Sequence, residues 1–252
     1  MVEENSFSNI KIDDEEQIRT ISLNRSNKLN PLDIETIKEI RDAVADSSKI
    51  IILKGSEKAF SAGADINNFL KMSERDAYHF SDLGHVYMNE ISEHERPVIA
   101  AIHGYALGGG FELALACDFR ISDVNTKYGF PEVNLGIMPG FGGTQRIKKL
   151  AGESYGMYIV MTGNVIDENE ALKHGIINTV SPNYYEEAQK LAKILSEKPA
   201  TSVKYIKDVM KARADNMYDI EKERFAMTFK TEDHIEGIKA FQEKRKAVFK
   251  GK

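Results

Sequence analysis

The chain has 252 residues, of which 42% are hydrophobic and 29% charged, with a formal net charge of −5. That length can bury a substantial core in one or two domains, and the balance is that of a globular protein. An acidic chain lacks the basic surface of a protein that tracks a nucleic-acid backbone, and Cys117, the sole cysteine, leaves no intrachain disulfide and no cysteine zinc site.

The opening MVEENSFSNI has neither the basic head nor the apolar run of a secretory signal. No apolar run approaches the ~20 residues of a membrane helix. The expectation is a cytoplasmic protein with no membrane and no nucleic-acid partner.

In chain order, residues 10–12 and 17–23 read as short strands separated by the acidic turn Asp13-Asp14-Glu15. Asn30 then has the character of a helix cap, with Pro31 at the first helical position and Asp33 in the first turn. Ile34, Ile37, Ile40 and Val44 recur at helical spacing, so an amphipathic helix is predicted over 33–45. KIIILK follows as a continuous apolar run, the pattern of a strand buried on both faces. After a helical stretch near 74–95, PVIAAI and ACDFRIS supply two more buried strands. Strands alternating with helices predict an α/β core.

The last third has a different texture. Asp167 and Glu170 form a capping-box pattern, and Gly175 ends that short helix. From Tyr184 onward the chain reads as nearly all helical, interrupted at Pro199 and around Asp215-Asn216. The change near residue 195 divides the chain into a core over 1–195 and a helical subdomain over 196–252.

Nucleotide-binding GxGxxG and Walker sequences, HExxH and GxSxG are all absent, and the six histidines are scattered. No metal-ligand spacing is found. Three glycine-rich segments stand out instead: 60–65, 104–112 and 139–144. Each leads into a helix, where the first backbone N–H groups have no helical partner. Two such groups converging from different turns would make an oxyanion pocket. A glycine turn by itself needs no such role.

Glu112 opens FELALAC, a segment apolar nearly all round and so expected to be buried. Capping of the helix dipole accounts for a carboxylate there, yet burying one is costly unless it is paired or protonated. Glu132 follows Pro131, whose fixed backbone would aim the next side chain. The path between the two glutamates is long enough to go out and return, so they could face each other across a pocket. Taken singly, each has an ordinary structural reading.

The joint pattern is more specific. SAGADI, HGYALGGGFELALACDFRI and YGFPEVNLGIMPGFGGTQRI resemble, in order and spacing, the enoyl-CoA hydratase/isomerase, or crotonase, superfamily. The resemblance runs from the opening strands to the FQEKRKAVFKGK tail. It implies an α/β fold, a crotonase-like spiral of repeated ββα units with a C-terminal helical region used for trimerisation, the trimers often pairing into hexamers. It implies an oxyanion hole from the backbone N–H groups of Ala62 and Gly109, and an acyl-CoA substrate held along Ala62, Gly63, Ala64, Asp65 and Gly109. Glu112 would activate the water and Glu132 would supply the proton to the α-carbon. No metal or cofactor is implied beyond the coenzyme A of the substrate.

The basic tail from Lys244 through Lys250 resembles the segment that approaches the CoA phosphates, although for any single lysine a solvated helix end is the preferred reading. Residues 66–90, with Met72, Phe80 and Met88, lie where the family shapes its acyl pocket; at helical spacing such residues also serve simply as core. Asn30-Pro31-Leu32-Asp33 departs from the family's Asn-Ala-Leu-Asn. Keeping both glutamates favours hydration or dehydration over double-bond isomerisation. A noncatalytic RNA-binding relative is the rival from another class, with only Lys38 and Arg41 as basic residues on the 33–45 helix.

Overall fold

The computed structural model describes residues 7–25, 28–212 and 217–252. Strands β1 (Ile10–Glu15) and β2 (Ile18–Leu23) form an antiparallel hairpin. The acidic triplet predicted as a turn belongs to β1, and the chain reverses at Glu16, where φ is 42°. The cause is a cross-strand pair: Asp14 lies opposite Arg19 and accepts two hydrogen bonds from it at 2.8 Å, which favours the strand over the turn.

Helix α1 (Ile34–Ala45) is capped by Asp33, not Asn30; the Asp33 side chain accepts from the Thr36 N–H. Asn30 is fully buried at a left-handed φ of 53°. Its amide donates to the carbonyl of Ala59 at 2.8 Å and that of Ser56 at 3.3 Å, and its Oδ1 accepts from the Arg25 N–H. A side chain with this many long-range partners ties down a loop and has no bond left for a helix.

Strand β3 (Ile50–Lys54) leads through a 3₁₀ turn (Ile66–Lys71) into α2 (Glu74–Glu93), capped reciprocally by Ser73 and Asp76. Then come β4 (Val98–Ile102), β5 (Tyr105–Leu107), α3 (Gly109–Ala116), β6 (Phe119–Ser122), β7 (Lys127–Gly129) and a second 3₁₀ turn (Pro131–Leu135). The remainder is α4 (Gly143–Ala151), α5 (Glu153–Thr162), β8 (Val165–Asp167), α6 (Glu168–Lys173), β9 (Thr179–Val180), α7 (Tyr184–Ser196), α8 (Ala200–Lys211), α9 (Met217–Thr228) and α10 (Glu232–Gln242).

Six strands form one sheet in the order β1-β2-β3-β4-β6-β9, parallel from β2 onward, and β5-β7-β8 form a second. Successive passes of the chain place one strand in each sheet and then a helix: β4, β5, α3 is one pass, and β6, β7, α4 the next. An isolated bridge from Ser61 to Ala106 extends the small sheet toward the pass after β3. This is a spiral of ββα units.

Alternation of side chains explains the apolar runs. Ile51, Leu53, Val98, Ala100 and Ile102 enter the main core, while Ile50, Ile52, Ile99, Ala101 and Ile121 pack on Ala188 and Ala192 of α7. α7 therefore covers the back of the sheet. Helix α8 is pinned to the core by Lys207 and Lys211, which straddle Asp118 at 2.7 and 2.6 Å. At the far end the tail folds back on α10, its Lys250 and Gly251 N–H groups donating to Asp233. The interruption predicted around Asp215-Asn216 lies outside the described residues. Among the described residues no helix is long and apolar enough to cross a membrane.

Asn30→Ala strands the buried carbonyl of Ala59 and removes the bond to the half-buried one of Ser56, and a loss of about 1–3 kcal/mol is expected. The measurement is the thermal unfolding midpoint, which should fall relative to wild type.

Candidate active site

Helix α3 is buried along its whole length, and Glu112 in its first turn is 1% exposed. A carboxylate in such a place requires donors. They come from the glycine-rich loop ahead of α4: the N–H groups of Phe141 and Gly143 donate to Glu112 Oε1 at 2.8 and 2.7 Å. Gly143 has to be glycine, since a Cβ there would lie 2.8 Å from Glu112 Cγ and 2.6 Å from Phe130 Cε1. Arg146 braces the loop from behind, donating to the Phe141 carbonyl at 2.7 Å and to Asn89 at 2.8 Å. Burial pushes the Glu112 carboxyl up, and the Gly143 and Phe141 N–H groups oppose the rise.

Glu132 sits in the second 3₁₀ turn, directly after Pro131. Its Oε1 lies over Gly108, where a Cβ would come within 2.8 Å. Its Oε2 is buried with no hydrogen-bond partner among the described residues. Burial, with the charge of Glu112 adding to it, pushes this carboxyl up to about 7. The two glutamates are thus brought together and made unequal. Two amides favour the carboxylate form of Glu112, whereas the bare oxygen of Glu132 favours the acid.

The expected pair of backbone donors changes by one member. The Ala62 N–H already donates to the Leu29 carbonyl at 3.0 Å, so it has no proton to offer a ligand. Leu32 donates to the Gly63 carbonyl and accepts from the Asp65 N–H, the two bonds of a parallel bridge centred on Ala64. The amide of Ala64 itself takes no part in that bridge. Its nitrogen lies 3.5 Å from where a Cβ on Gly109 would stand. Gly109 is the first residue of α3, so its N–H has no carbonyl within the helix to meet. Ala64 and Gly109 are the juxtaposed donors.

In a regular strand residues 62 and 64 would donate on the same side. Gly63, at φ 110°, breaks the alternation.

The loop owes its shape to residues the sequence did not single out for this role. Ser61 Oγ donates to the Asn30 carbonyl at 2.7 Å and accepts from the Gly63 N–H. Asp65 directs its carboxylate at Arg25, 3.3 Å away. The basic tail is engaged within the chain: Arg245 pairs with Glu236 and Glu243, and Lys246 with Glu197. A separate cleft of about 620 Å³ lies between the core and α8, lined by Leu115, Asp118, Ile206, Lys207 and Met210 among others; neither glutamate reaches it.

A ββα spiral carrying a buried and a half-buried glutamate beside two amides with no partner among the described residues defines a class of protein, and comparison agrees. Residues 13–252 match the model of the enoyl-CoA hydratase/isomerase family. The chain belongs to that family. It is 40% identical to a crotonyl-CoA hydratase of Syntrophomonas wolfei over 97% of this chain and 98% of that one. It is 36% identical to a short-chain-enoyl-CoA hydratase of Clostridium acetobutylicum, over 95% and 97%. An enoyl-CoA hydratase structure from Geobacillus kaustophilus superposes with a TM-score of 0.92 at 38% identity, covering 98% of this chain and 99% of that one.

The elevated Glu132 carboxyl has a signature in stability. Between its ordinary value of 4.5 and about 7 the folded protein holds a proton that the unfolded chain has released. Stability contributed by that proton is present at low pH and lost as pH rises through about 7. Glu132→Gln cannot lose it, so the variant should gain on wild type from pH 5 to pH 8 in denaturant titrations run on that pH series.

Proposed function

We propose that the chain is an enoyl-CoA hydratase, a hydro-lyase adding water reversibly to a 2-enoyl-CoA to give a 3-hydroxyacyl-CoA. The observation that carries this reading is a buried and a half-buried carboxyl with unequal hydrogen bonding, set beside a two-amide pocket. The thioester oxygen is received by the N–H groups of Ala64 and Gly109, where a developing enolate charge is stabilised without any reorganisation. Drawing electron density from the double bond toward that oxygen makes the β-carbon electrophilic.

Glu112, as carboxylate, takes a proton from the water whose oxygen bonds to the β-carbon. Glu132, as acid, gives its proton to the α-carbon as the enolate collapses back to the thioester. One proton enters the pair and one leaves, so water is added with no net change once the two carboxyls re-equilibrate with solvent. The scheme calls on no cofactor other than the coenzyme A of the substrate. Read backwards it is a dehydration.

The test is loss of the conjugated thioester absorbance of crotonyl-CoA. Glu112→Gln and Glu132→Gln should each lower kcat by about 10²–10⁴-fold. Full activity in the Glu132 variant would defeat the two-carboxylate scheme. The RNA-binding alternative draws little support: Lys38 and Arg41, its only cations on α1, are paired with Glu35 and with Asp42 and Glu90.

We also propose that the protein is a cytoplasmic homo-oligomer, a trimer or a dimer of trimers, joined through its C-terminal helices. The support is apolar surface: Met210, Phe225, Phe229 and Phe241 are 73%, 65%, 51% and 85% exposed. Exposed side chains of this size on three consecutive helices are the surface a partner copy would cover. Light scattering should give a mass that is three or six times that of the chain, and Phe225→Glu with Phe241→Glu should lower it.

A further inference from the structure

We propose that Ser81 on α2 is a positioning residue for the hydration chemistry, holding one peptide of the glycine-rich loop with its N–H turned onto Glu112. The inference rests on the hydratase reading and adds a residue outside the glutamate pair and the two pocket amides. Ser81 Oγ donates to the Gly140 carbonyl at 2.6 Å. The N–H of that same peptide is the one on Phe141, which donates to Glu112 Oε1 at 2.8 Å. In a trans peptide the two groups point opposite ways from one rigid plane. The plane is thus bonded at both ends, to α2 through its oxygen and to the carboxylate through its nitrogen.

The setting of Ser81 fits this role. A serine inside a helix commonly returns its hydroxyl to the carbonyl four residues earlier, whereas Ser81 reaches a carbonyl 59 residues further along the chain. Gly140 has no side chain to restrict rotation on its side of the peptide, so the plane needs an outside anchor. Ser81 is also the first of three residues spaced four apart along one face of α2, each directed at a different residue of the loop. Ser81 holds Gly140, and Asn89 accepts from Arg146, which in turn donates to the Phe141 carbonyl. The His85 ring lies 3.6 Å from where a Cβ on Gly142 would stand. Gly84 permits the close approach, since a Cβ there would overlap the Phe141 ring. α2 is fixed independently of the loop by its reciprocal cap and by the burial of Met88 and Ile91. It is the template on which the loop is laid.

A carbonyl that accepts a bond makes the N–H of its own peptide a stronger donor. Loss of the Ser81 hydroxyl therefore weakens the Phe141 bond and frees the plane to turn, leaving the buried carboxylate more dependent on the Gly143 N–H. The charged groups about Glu112 are Arg146 on α4 and Glu132 on the second 3₁₀ turn. His85 is the titratable neighbour of Ser81, its Nδ1 2.8 Å from the Ser81 carbonyl. Substitution of Ser81 removes none of these, so a change in pH profile reports the peptide.

The experiment records kcat/KM for crotonyl-CoA from pH 5 to pH 9 in wild type, Ser81→Ala and Ser81→Thr. Ser81→Ala should move the acid limb up by about one pH unit, a loss of about tenfold at the low end that shrinks as pH rises. Ser81→Thr keeps the hydroxyl and should keep the wild-type limb. Ser81→Val, isosteric with threonine, repeats the comparison if the alanine variant folds poorly. In the Glu112→Gln background, where that carboxylate no longer titrates, Ser81→Ala should change kcat by no more than about twofold. An unmoved limb, a loss equal at every pH, or an undiminished loss in the Glu112→Gln background overturns the inference and leaves the hydratase reading standing. No turnover of crotonyl-CoA by wild type overturns both.

Discussion

The site depends on how one buried carboxylate is kept in place. Glu112 enters an apolar helix at a position that water does not reach, and only the two amides of the loop ahead of α4 make this tolerable. Much else follows from that requirement. Gly143 must lack a side chain, Arg146 must hold the loop from behind, and Asn89 on α2 must receive Arg146. Because each partner lies on a different element, the parallel order of β4 and β6 and the packing of α3 on α4 become conditions for the chemistry.

Glu132 shows the complementary design. It comes from a short rigid turn, rests on Gly108, and among the described residues has no hydrogen-bond partner for one oxygen. Two identical side chains thereby acquire different tendencies to hold a proton through their surroundings alone. The inequality comes chiefly from where the main chain places its N–H groups, with the charge of Arg146 adding to it on the Glu112 side.

Much of this was legible in the sequence, and the misses have a common cause. The apolar runs at β3 and β4, the periodicity of α1 and the capping residue of α6 are local signals, and each element lies close to where it is expected. The glycine-rich segments and both glutamates were visible as motifs. What failed were judgements that depended on a distant partner. The strand through Asp14 is decided by Arg19 across the hairpin, and Asn30 is taken from its helix by carbonyls near Ala59. The choice between Ala62 and Ala64 turns on the φ of Gly63 and on bridges to Leu29 and Leu32. No spacing within SAGADI contains that information.

The groups that hold Glu112 and face the pocket beside it are peptide amides: those of Phe141, Gly143, Ala64 and Gly109. A peptide N–H is common to all residues but proline, so substitutions at Phe141 and Ala64 can alter the shape of the pocket while the donors persist. Heredity can therefore work on the two layers separately. Drift in side chains adjusts what is admitted, and the fold, which changes far more slowly, preserves what is done to it.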